Sequence, residues 1–165
     1  EIGEKIQNQP LFNKKEAINQ FCKSYTKLDS LTNSKLYIEN NVISRPNYEK
    51  FGEDIFMLTS SKDYFRLKKL INFDLILDVA HLKVSCNSLN LNFEMELDSL
   101  IHQTDYIHVS DNSGITDDNI GLKKDSELYS ILSNYCLKNK KITLEVYDNS
   151  FREIEESYKL ISDLI

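Results

Sequence analysis

The sequence predicts an α/β protein in which an initial helix is followed by four strand–helix units around a parallel sheet. Four short segments rich in Ile, Leu, Val and Tyr recur along the 165 residues, and apolar residues at helical spacing follow each of them. Each segment also closes on a carboxylate or an imidazole. Successive closing residues are 39, 30 and 37 residues apart, close to the ~30 or more residues of one strand–helix unit.

The first third of the chain indicates two helices separated by a strand and a long loop. Asn13 and Glu16 have the spacing of a capping box and begin the first helix. Residues 35–40 alternate apolar and polar side chains and indicate the first strand. Residues 44–58 contain one Pro and one Gly and indicate an elaborate loop, after which Ser60 begins a second helix.

The middle of the chain indicates two further strands. Residues 74–80 are almost continuously apolar, as expected for a strand that is covered on both faces. We expect a loop at residues 83–90 and an amphipathic helix at residues 93–102. Residues 105–110 then indicate the third strand, and residues 111–125 form a long polar loop.

The last third of the chain completes the alternation. Ser126 begins a helix, and residues 141–147 indicate the fourth strand. A final helix places five apolar residues on one side: Phe151, Ile154, Tyr158, Ile161 and Ile165. Strict alternation of this kind is typical of parallel sheets with right-handed crossovers. It agrees both with half of an eight-fold barrel and with a small, open, doubly wound sheet.

Composition indicates one ordered domain over residues 1–165, located in the cytoplasm. The chain is 41% hydrophobic with a net charge of −6, which disfavours nucleic acid as a partner because phosphate binding needs clustered Lys and Arg. No apolar run approaches the ~18 residues of a membrane span, so no membrane partner is expected. The three cysteines are widely spaced and odd in number, which favours free thiols in a reducing compartment.

The side chains that close the four strands predict a metal centre. The carboxyl ends of parallel strands lie at one edge of a sheet, so these side chains should meet in space. Three carboxylates and one imidazole form an oxygen and nitrogen site suited to Mn²⁺, Mg²⁺, Co²⁺ or Zn²⁺, with open positions for substrate oxygens. The four expected metal ligands are Glu39, Asp78, His108 and Glu145.

Other polar residues near the strand ends are candidates for substrate binding. The position of His81 agrees with substrate contact, a second metal or a loop cap, and substrate contact is the favoured interpretation. Asp111 either orients a ligand or binds metal. Asp117 and Asn119 belong either to the site or to a turn, and Lys83 has the charge to hold a phosphate or carboxylate. No P-loop, GxGxxG or GxSxG motif is present, so no cofactor other than a metal is expected.

Four motifs give the chain a resemblance to a known family. The motifs YIEN, LDVAHL, IHVSDN and LEV, in this order and at this spacing, are similar to the last four strands of the xylose-isomerase-like barrels. That group includes sugar isomerases, keto-sugar epimerases and apurinic endonucleases. The resemblance covers nearly the whole chain and implies the second half of a TIM barrel.

The epimerase branch of this family implies a mechanism. In that branch the residues that match the four strand-end side chains bind one divalent metal. Those that match Glu39 and Glu145 also exchange a proton with the sugar carbon beside the carbonyl. The residue that matches His81 touches the substrate. The resemblance therefore implies a metal-dependent isomerase or epimerase of a sugar or sugar phosphate, with Glu39 and Glu145 as catalytic residues.

Two other functions stay open. A metal-dependent phosphodiesterase would use the same ligands, although endonuclease members carry Asp-x-His where this chain has Asp117 and Asn119. A degenerate, non-catalytic barrel module is the other alternative.

The length of the chain is the larger departure from the family, because an eight-fold barrel needs ~250 residues. We expect a C-terminal fragment of a longer barrel, or two copies closed against each other. A free half barrel would expose two sheet edges and a large apolar inner face. These surfaces favour a homo-oligomer or association with the missing half.

Overall fold

The computed structural model describes residues 13–52, 55–147 and 150–165 and contains a four-stranded parallel sheet with helices between its strands. Residues 1–12, for which the sequence predicts a loop leading into the first helix, lie outside the described residues. In chain order the elements are α1 (Lys14–Leu31), β1 (Tyr37–Glu39), α2 (Arg45–Phe51), α3 (Ser61–Lys68), β2 (Asp74–Asp78), α4 (Val79–Leu89), α5 (Phe93–Ile101), β3 (Tyr106–Val109), α6 (Glu127–Leu132), β4 (Lys141–Leu144) and α7 (Phe151–Ser162).

The strands lie in the order β1-β2-β3-β4, and each pairs in parallel with the next strand of the chain. A doubly wound sheet would reverse this order at a switch point. Sequential order with intervening helices is instead the arrangement of consecutive units in a (β/α) barrel. The predicted α/β class and the resemblance to half of a TIM barrel are therefore confirmed.

The outer face of the sheet forms the core together with the helices. Leu75 and Leu77 of β2 and Ile107 and Val109 of β3 are at most 1% exposed. Burying a large apolar side chain of this kind contributes roughly 1.5–3 kcal/mol relative to leaving it in water. The residues of β1 and β4 are less buried because these strands have a neighbour on one side only. The two central strands are therefore the most deeply buried strands of the sheet.

The inner face of the sheet is polar, so the expectation of a large apolar inner surface was wrong. Lys35 Nζ lies 3.1 Å from Asp105 Oδ2, and the Tyr37 hydroxyl donates a hydrogen bond to the same carboxylate. The expectation failed because it assumed the branched apolar residues that usually fill a barrel. Besides the predicted metal ligands at the strand ends, this face carries Tyr37, Asp74, Ile76, Tyr106, Lys141 and Thr143.

Two helices lie in segments that were expected to be loops. Helix α2 falls within residues 44–58, and Pro46 sits in its first turn, where a missing N–H costs no hydrogen bond. Helix α4 begins at Val79, so the predicted second strand is two residues too long and the loop at 83–90 is helical. Asp78 explains the abrupt change, because it ends the strand and its side chain caps the helix.

The thiols differ in environment. Cys86 is 1% exposed within α4, and burial raises the pKa of this thiol to about 12, so it is protonated and unreactive at neutral pH. Cys22 is half-buried and Cys136 is exposed. A cytoplasmic location stays a prediction from the cysteine pattern. Among the described helices, none combines the length and the apolar character needed to cross a bilayer.

Candidate metal centre

The sheet carries the four predicted ligands to one edge. Glu39 is the last residue of β1, and Asp78 is the last residue of β2. His108 lies opposite Asp78 in the β2–β3 register. Glu145 directly follows β4, and its N–H donates to the carbonyl of Val109 over 3.1 Å, which extends the pairing of β3 with β4. Parallel pairing therefore joins residues that are far apart in sequence.

The four side chains converge around the imidazole. One possible ligand atom from each residue lies within 4.8 Å of the corresponding atoms of the other three. His108 Nδ1 is 3.0 Å from Glu39 Oε1 and 2.8 Å from Glu145 Oε2. The same nitrogen is 3.9 Å from Asp78 Oδ2. A single nitrogen thus faces three carboxylates.

The negative charge of this cluster shifts two pKa values. The hydrogen bond from His108 to Glu39 raises the pKa of the imidazole, and the charges of Glu39, Glu145 and Asp78 raise it further against the effect of burial. Burial raises the pKa of Asp78 to about 6. Both shifts follow from placing three carboxylates beside one imidazole in a small, partly dehydrated volume.

A divalent cation fits this set of donors. The Asp78 side chain is 0% exposed, and its Oδ2 has no hydrogen-bond donor within the described part of the chain. Glu145 Oε2 also lacks a hydrogen bond there, because the Nδ1–H of His108 is directed at Glu39. Ligands at about 2.0–2.2 Å from a metal lie within about 4.4 Å of one another, so small side-chain movements would seat an ion.

The two glutamates are accessible, whereas the aspartate is not. Glu39 and Glu145 have side chains that are 36% and 24% exposed. Both line a cavity of about 610 Å³ that also contains His81 and the apolar side chains of Phe21 and Leu58. A second cavity, of about 630 Å³, lies between the loop after β3 and α7 and contains none of the four cluster residues. A small molecule in the first cavity would therefore meet both glutamates.

His81 lies in the first turn of α4 and hydrogen bonds through both ring nitrogens. Its Nδ1 is 2.9 Å from the carbonyl of Asn40, and its Nε2 is 3.0 Å from Asp117 Oδ2. Both partners are acceptors, so both nitrogens carry protons. Burial lowers the pKa of His81, but the hydrogen bond to Asp117 and the charges of Asp78 and Asp117 raise it to about 10. Both ring nitrogens of His81 are already hydrogen bonded, which disfavours a second ion there.

Asp117 and Asn119 lie in the loop after β3 and meet His81 there. Asn119 adopts a left-handed conformation with φ of 47° and donates to Asp117 Oδ2 over 3.3 Å. Its amide oxygen accepts a hydrogen bond from Ser110. The pair thus supports the His81 ring, and its role toward a substrate stays a prediction.

Lys83 and Asp111 contact each other. Lys83 Nζ lies 2.8 Å from Asp111 Oδ1 and also donates to the carbonyl of Asn112 over 2.7 Å. This ion pair fastens the loop after β3 to α4. Within the described residues, neither side chain has a hydrogen bond or ion pair with the four cluster residues. Their roles in substrate binding also stay predictions.

Two residues of the site were not identified from the sequence. The Tyr147 hydroxyl donates to Glu145 Oε1, and the side chain of Asn40 forms two hydrogen bonds with the backbone of Asp78. Each lies within two residues of a predicted ligand. Proximity in sequence was the available signal, but the contacts themselves depend on how neighbouring strands and loops meet.

Two solved structures share this fold. A D-tagatose 3-epimerase-like protein aligns with a TM-score of 0.65 and 14% identity, covering 89% of this chain and 54% of that chain. A putative xylose isomerase from Rhodospirillum rubrum aligns with a TM-score of 0.58 and 13% identity, covering 90% of this chain and 52% of that chain. The chain spans about half the length of each. No family model and no curated protein matches the sequence. The described residues therefore have the fold of half of a TIM barrel, similar to the corresponding half of these two structures.

Proposed function

We propose that the chain carries the catalytic centre of a divalent-metal-dependent sugar isomerase or epimerase, which acts by proton transfer beside a carbonyl. One observation carries the proposal. Four consecutive parallel strands bring three carboxylates and one imidazole within 4.8 Å of one another. The likeness to epimerase-like and isomerase-like structures supports the same reaction class, although it is a likeness of fold.

The metal would be held by the four residues of the cluster. Glu39, Glu145 and Asp78 would supply oxygens, and His108 would supply Nδ1, the nitrogen that faces the carboxylates. When bound, a divalent cation would polarise the carbonyl and the neighbouring hydroxyl of a sugar. The donor set suits Mn²⁺, Mg²⁺, Co²⁺ or Zn²⁺ and does not choose among them.

Glu39 and Glu145 would move the proton. One carboxylate removes the proton from the carbon beside the carbonyl, and the other returns a proton to the substrate. The two glutamates suit this role because both line the cavity of about 610 Å³. The Tyr147 hydroxyl holds Glu145 Oε1, which fixes the direction of that carboxylate. His81 would contact the substrate at the cavity wall.

The cavity and the two similar structures support a sugar as the substrate class. A volume of about 610 Å³ is ample for a monosaccharide or its phosphate. The names of the two structures refer to D-tagatose 3-epimerase and xylose isomerase. Keto-hexoses and aldo-pentoses are therefore the sugars to examine first.

Deuterium exchange tests the proposed reaction. The 165-residue chain, loaded with Mn²⁺, is incubated with each sugar in D₂O, and NMR follows deuterium entry at the carbon beside the carbonyl. We expect exchange with wild type, none with Glu145→Gln, and unchanged exchange with Glu49→Gln, which alters an exposed glutamate of α2. Metal binding without exchange of any sugar would contradict catalysis and favour the non-catalytic module.

The half barrel is also proposed to associate with a second half. Strands β1 and β4 are the edges of the described sheet, and edge strands present unpaired backbone groups. The polar inner face lies beneath the cluster and would be water-exposed in an isolated half. Association, either with another copy or with further barrel units, would cover both edges and enclose the candidate centre.

A further inference from the structure

We propose that Asn40 is a positioning residue that holds Asp78 in the geometry needed for metal binding and also fixes the direction of the His81 ring, an inference that rests on the proposed metal centre. Asn40 directly follows Glu39 at the end of β1 and is 3% exposed. It lies between the strand that carries one proposed ligand and the strand that carries another. Its contacts reach both Asp78 and the helix that follows it.

The side chain of Asn40 binds both backbone polar groups of Asp78. The Asp78 N–H donates to Asn40 Oδ1 over 2.7 Å, and Asn40 Nδ2 donates to the Asp78 carbonyl over 3.0 Å. One hydrogen bond would leave the residue free to rotate about it. Two bonds on either side of the same Cα fix the backbone of Asp78, and thereby the direction of its buried carboxylate.

The backbone of Asn40 holds two further groups. Its N–H donates to the carbonyl of Ile76 over 3.3 Å, one residue beyond the last β1–β2 pair. Its carbonyl accepts the Nδ1–H of His81 over 2.9 Å. Asn40 therefore continues the pairing of β1 with β2 beyond Glu39, first through its backbone and then through its side chain. The direction of the His81 ring depends on the same residue.

Asparagine meets a requirement that related residues do not. The site needs one acceptor and one donor on a side chain of this length. Asp has the length but no donor, so its second oxygen would face the Asp78 carbonyl. Ser and Ala are too short to reach both backbone groups. Ser or Ala at position 40 would leave the buried N–H or carbonyl of Asp78 without a partner, and Asp78 would be free to move.

Asn112 provides a matched control. It is 4% exposed, and its side chain also forms two hydrogen bonds with the backbone. Nδ2 donates to the carbonyl of Ala80 over 3.0 Å, and Oδ1 accepts from the N–H of Gly114 over 2.9 Å. Neither partner is one of the four cluster residues. Asn112→Ala therefore removes a similar set of contacts without touching a proposed ligand.

Calorimetric titration with Mn²⁺ tests the proposal on the full 165-residue chain. We expect Asn40→Ala and the milder Asn40→Ser to weaken Mn²⁺ binding by about 10–100-fold, the range for residues that support metal ligands. Asn112→Ala should change the Mn²⁺ affinity by less than about threefold. We expect this result even if Asn112→Ala lowers the thermal unfolding temperature as much as the Asn40 variants do. Equal affinities for the Asn40 and Asn112 variants would overturn the proposal.

NMR spectra of the histidine rings test the role of Asn40 in the metal-free protein. The chain has three histidines, so long-range ¹H–¹⁵N spectra of the metal-free protein are readily assigned. We expect the His81 Nδ1 signal to move in both Asn40 variants and to stay in place in Asn112→Ala. If wild type bound no Mn²⁺, the proposed function would fail, and this signal alone would support or overturn the role of Asn40. An unmoved His81 signal in a folded Asn40→Ser variant overturns it.

Discussion

At the scale of single residues, Asp78 uses its two carboxylate oxygens for different purposes. Oδ1 accepts the N–H of His81 over 2.7 Å and caps α4, which stabilises the fold. Oδ2 faces the cluster without a hydrogen-bond donor among the described residues, which destabilises the charged form. The cap and the candidate ligand are therefore one side chain, and a substitution can separate their effects.

Asp78→Asn should make the metal-free protein more stable at pH 7 and abolish Mn²⁺ binding. The folded pKa of about 6 lies above the unfolded value of 3.8, so stability is lost as the pH rises through this window. The amide keeps a cap acceptor and removes the charge, for an expected gain of about 1–3 kcal/mol. Urea unfolding and calorimetric titration measure the two effects. Asp105→Asn is the control with opposite sign: burial is the largest single effect and raises the pKa of Asp105, but the hydrogen bonds from Lys35 and Tyr37 together with the charge of Lys35 outweigh it and lower that pKa. Lower stability of Asp78→Asn at pH 7 would contradict the argument.

His81 should make folding stability fall at alkaline pH. Its folded pKa of about 10 lies above the ordinary histidine pKa of 6.5. The stabilisation is therefore fully present below about pH 6.5 and is lost as the pH rises through 10. We expect the stability difference between wild type and His81→Gln to shrink by roughly 1–3 kcal/mol between pH 7 and pH 10. Urea unfolding at several pH values measures it.

His102 supplies the control for that pH dependence. Its side chain is 69% exposed and lies 3.9 Å from Asp98, within the same helical region of α5. His102→Gln makes the same chemical change at an exposed position, so its stability curve is measured beside that of His81→Gln. Parallel curves for wild type and His81→Gln would show that His81 is not held as an imidazolium.

At the scale of elements, the strands were predictable from sequence and two helices were not. Each strand has alternating or continuous apolar residues and a polar side chain at its end, so both the strands and the convergence of those side chains could be expected. Helix α4 follows β2 with no intervening turn, and its sequence contains Val, Ser and Asn, which are weak helix formers. Tertiary packing decides such a segment: Val84, Ser85 and Cys86 are at most 1% exposed.

The loop before α6 packs against α7 through Gly121. A Cβ at this position would lie 2.7 Å from Ser157 Oγ, which is closer than van der Waals contact allows. Ser157 is 1% exposed, so it cannot easily move aside. Gly121→Ala should therefore lower the free energy of unfolding by about 1–3 kcal/mol. Urea unfolding measures this loss.

A double-mutant cycle tests whether the loss of stability in Gly121→Ala comes from the contact with Ser157. In the Ser157→Ala background the clashing hydroxyl is gone, so Gly121→Ala should cost much less than in wild type. Additive losses in the double mutant would mean that the strain lies elsewhere in the loop.

At the scale of the whole molecule, four parallel units form an open sheet whose inner face is polar. Tyr37 and Asp105 hydrogen bond at the amino-terminal end of the sheet, and Tyr106 and Thr143 do so beneath the cluster, with 2.8 Å between their hydroxyl oxygens. The alternating residue pattern of the strands predicts which polar side chains share the inner face. Whether that face contacts water or a second half depends on the partner, which one sequence does not specify. A polar face needs no partner for solubility, so the apolar surfaces at the edges decide association.

Helix α7, which follows β4 in the chain, presents such a surface. Phe151 is 82% exposed and Tyr158 is 65% exposed, and helical spacing puts both on one side of the helix. The sequence predicted a longer apolar side, but the helix ends at Ser162, before Ile165, and Ile161 is 5% exposed in the core. The exposed apolar stripe of Phe151 and Tyr158 is typical of a surface that meets a partner.

We therefore expect the 165-residue chain to self-associate through this stripe. Analytical ultracentrifugation should detect a species larger than the 19.3 kDa monomer at micromolar concentration, and Phe151→Lys combined with Tyr158→Lys should shift the distribution to monomer. Burying a lysine charge in an apolar contact costs desolvation free energy, whereas a lysine at the rim of the contact stays hydrated. Met95→Lys is the control, because Met95 is 70% exposed on α5, away from both sheet edges. A monodisperse, cooperatively folded monomer of the wild-type chain would contradict the expectation, and the closing half would then have to come from a different chain segment.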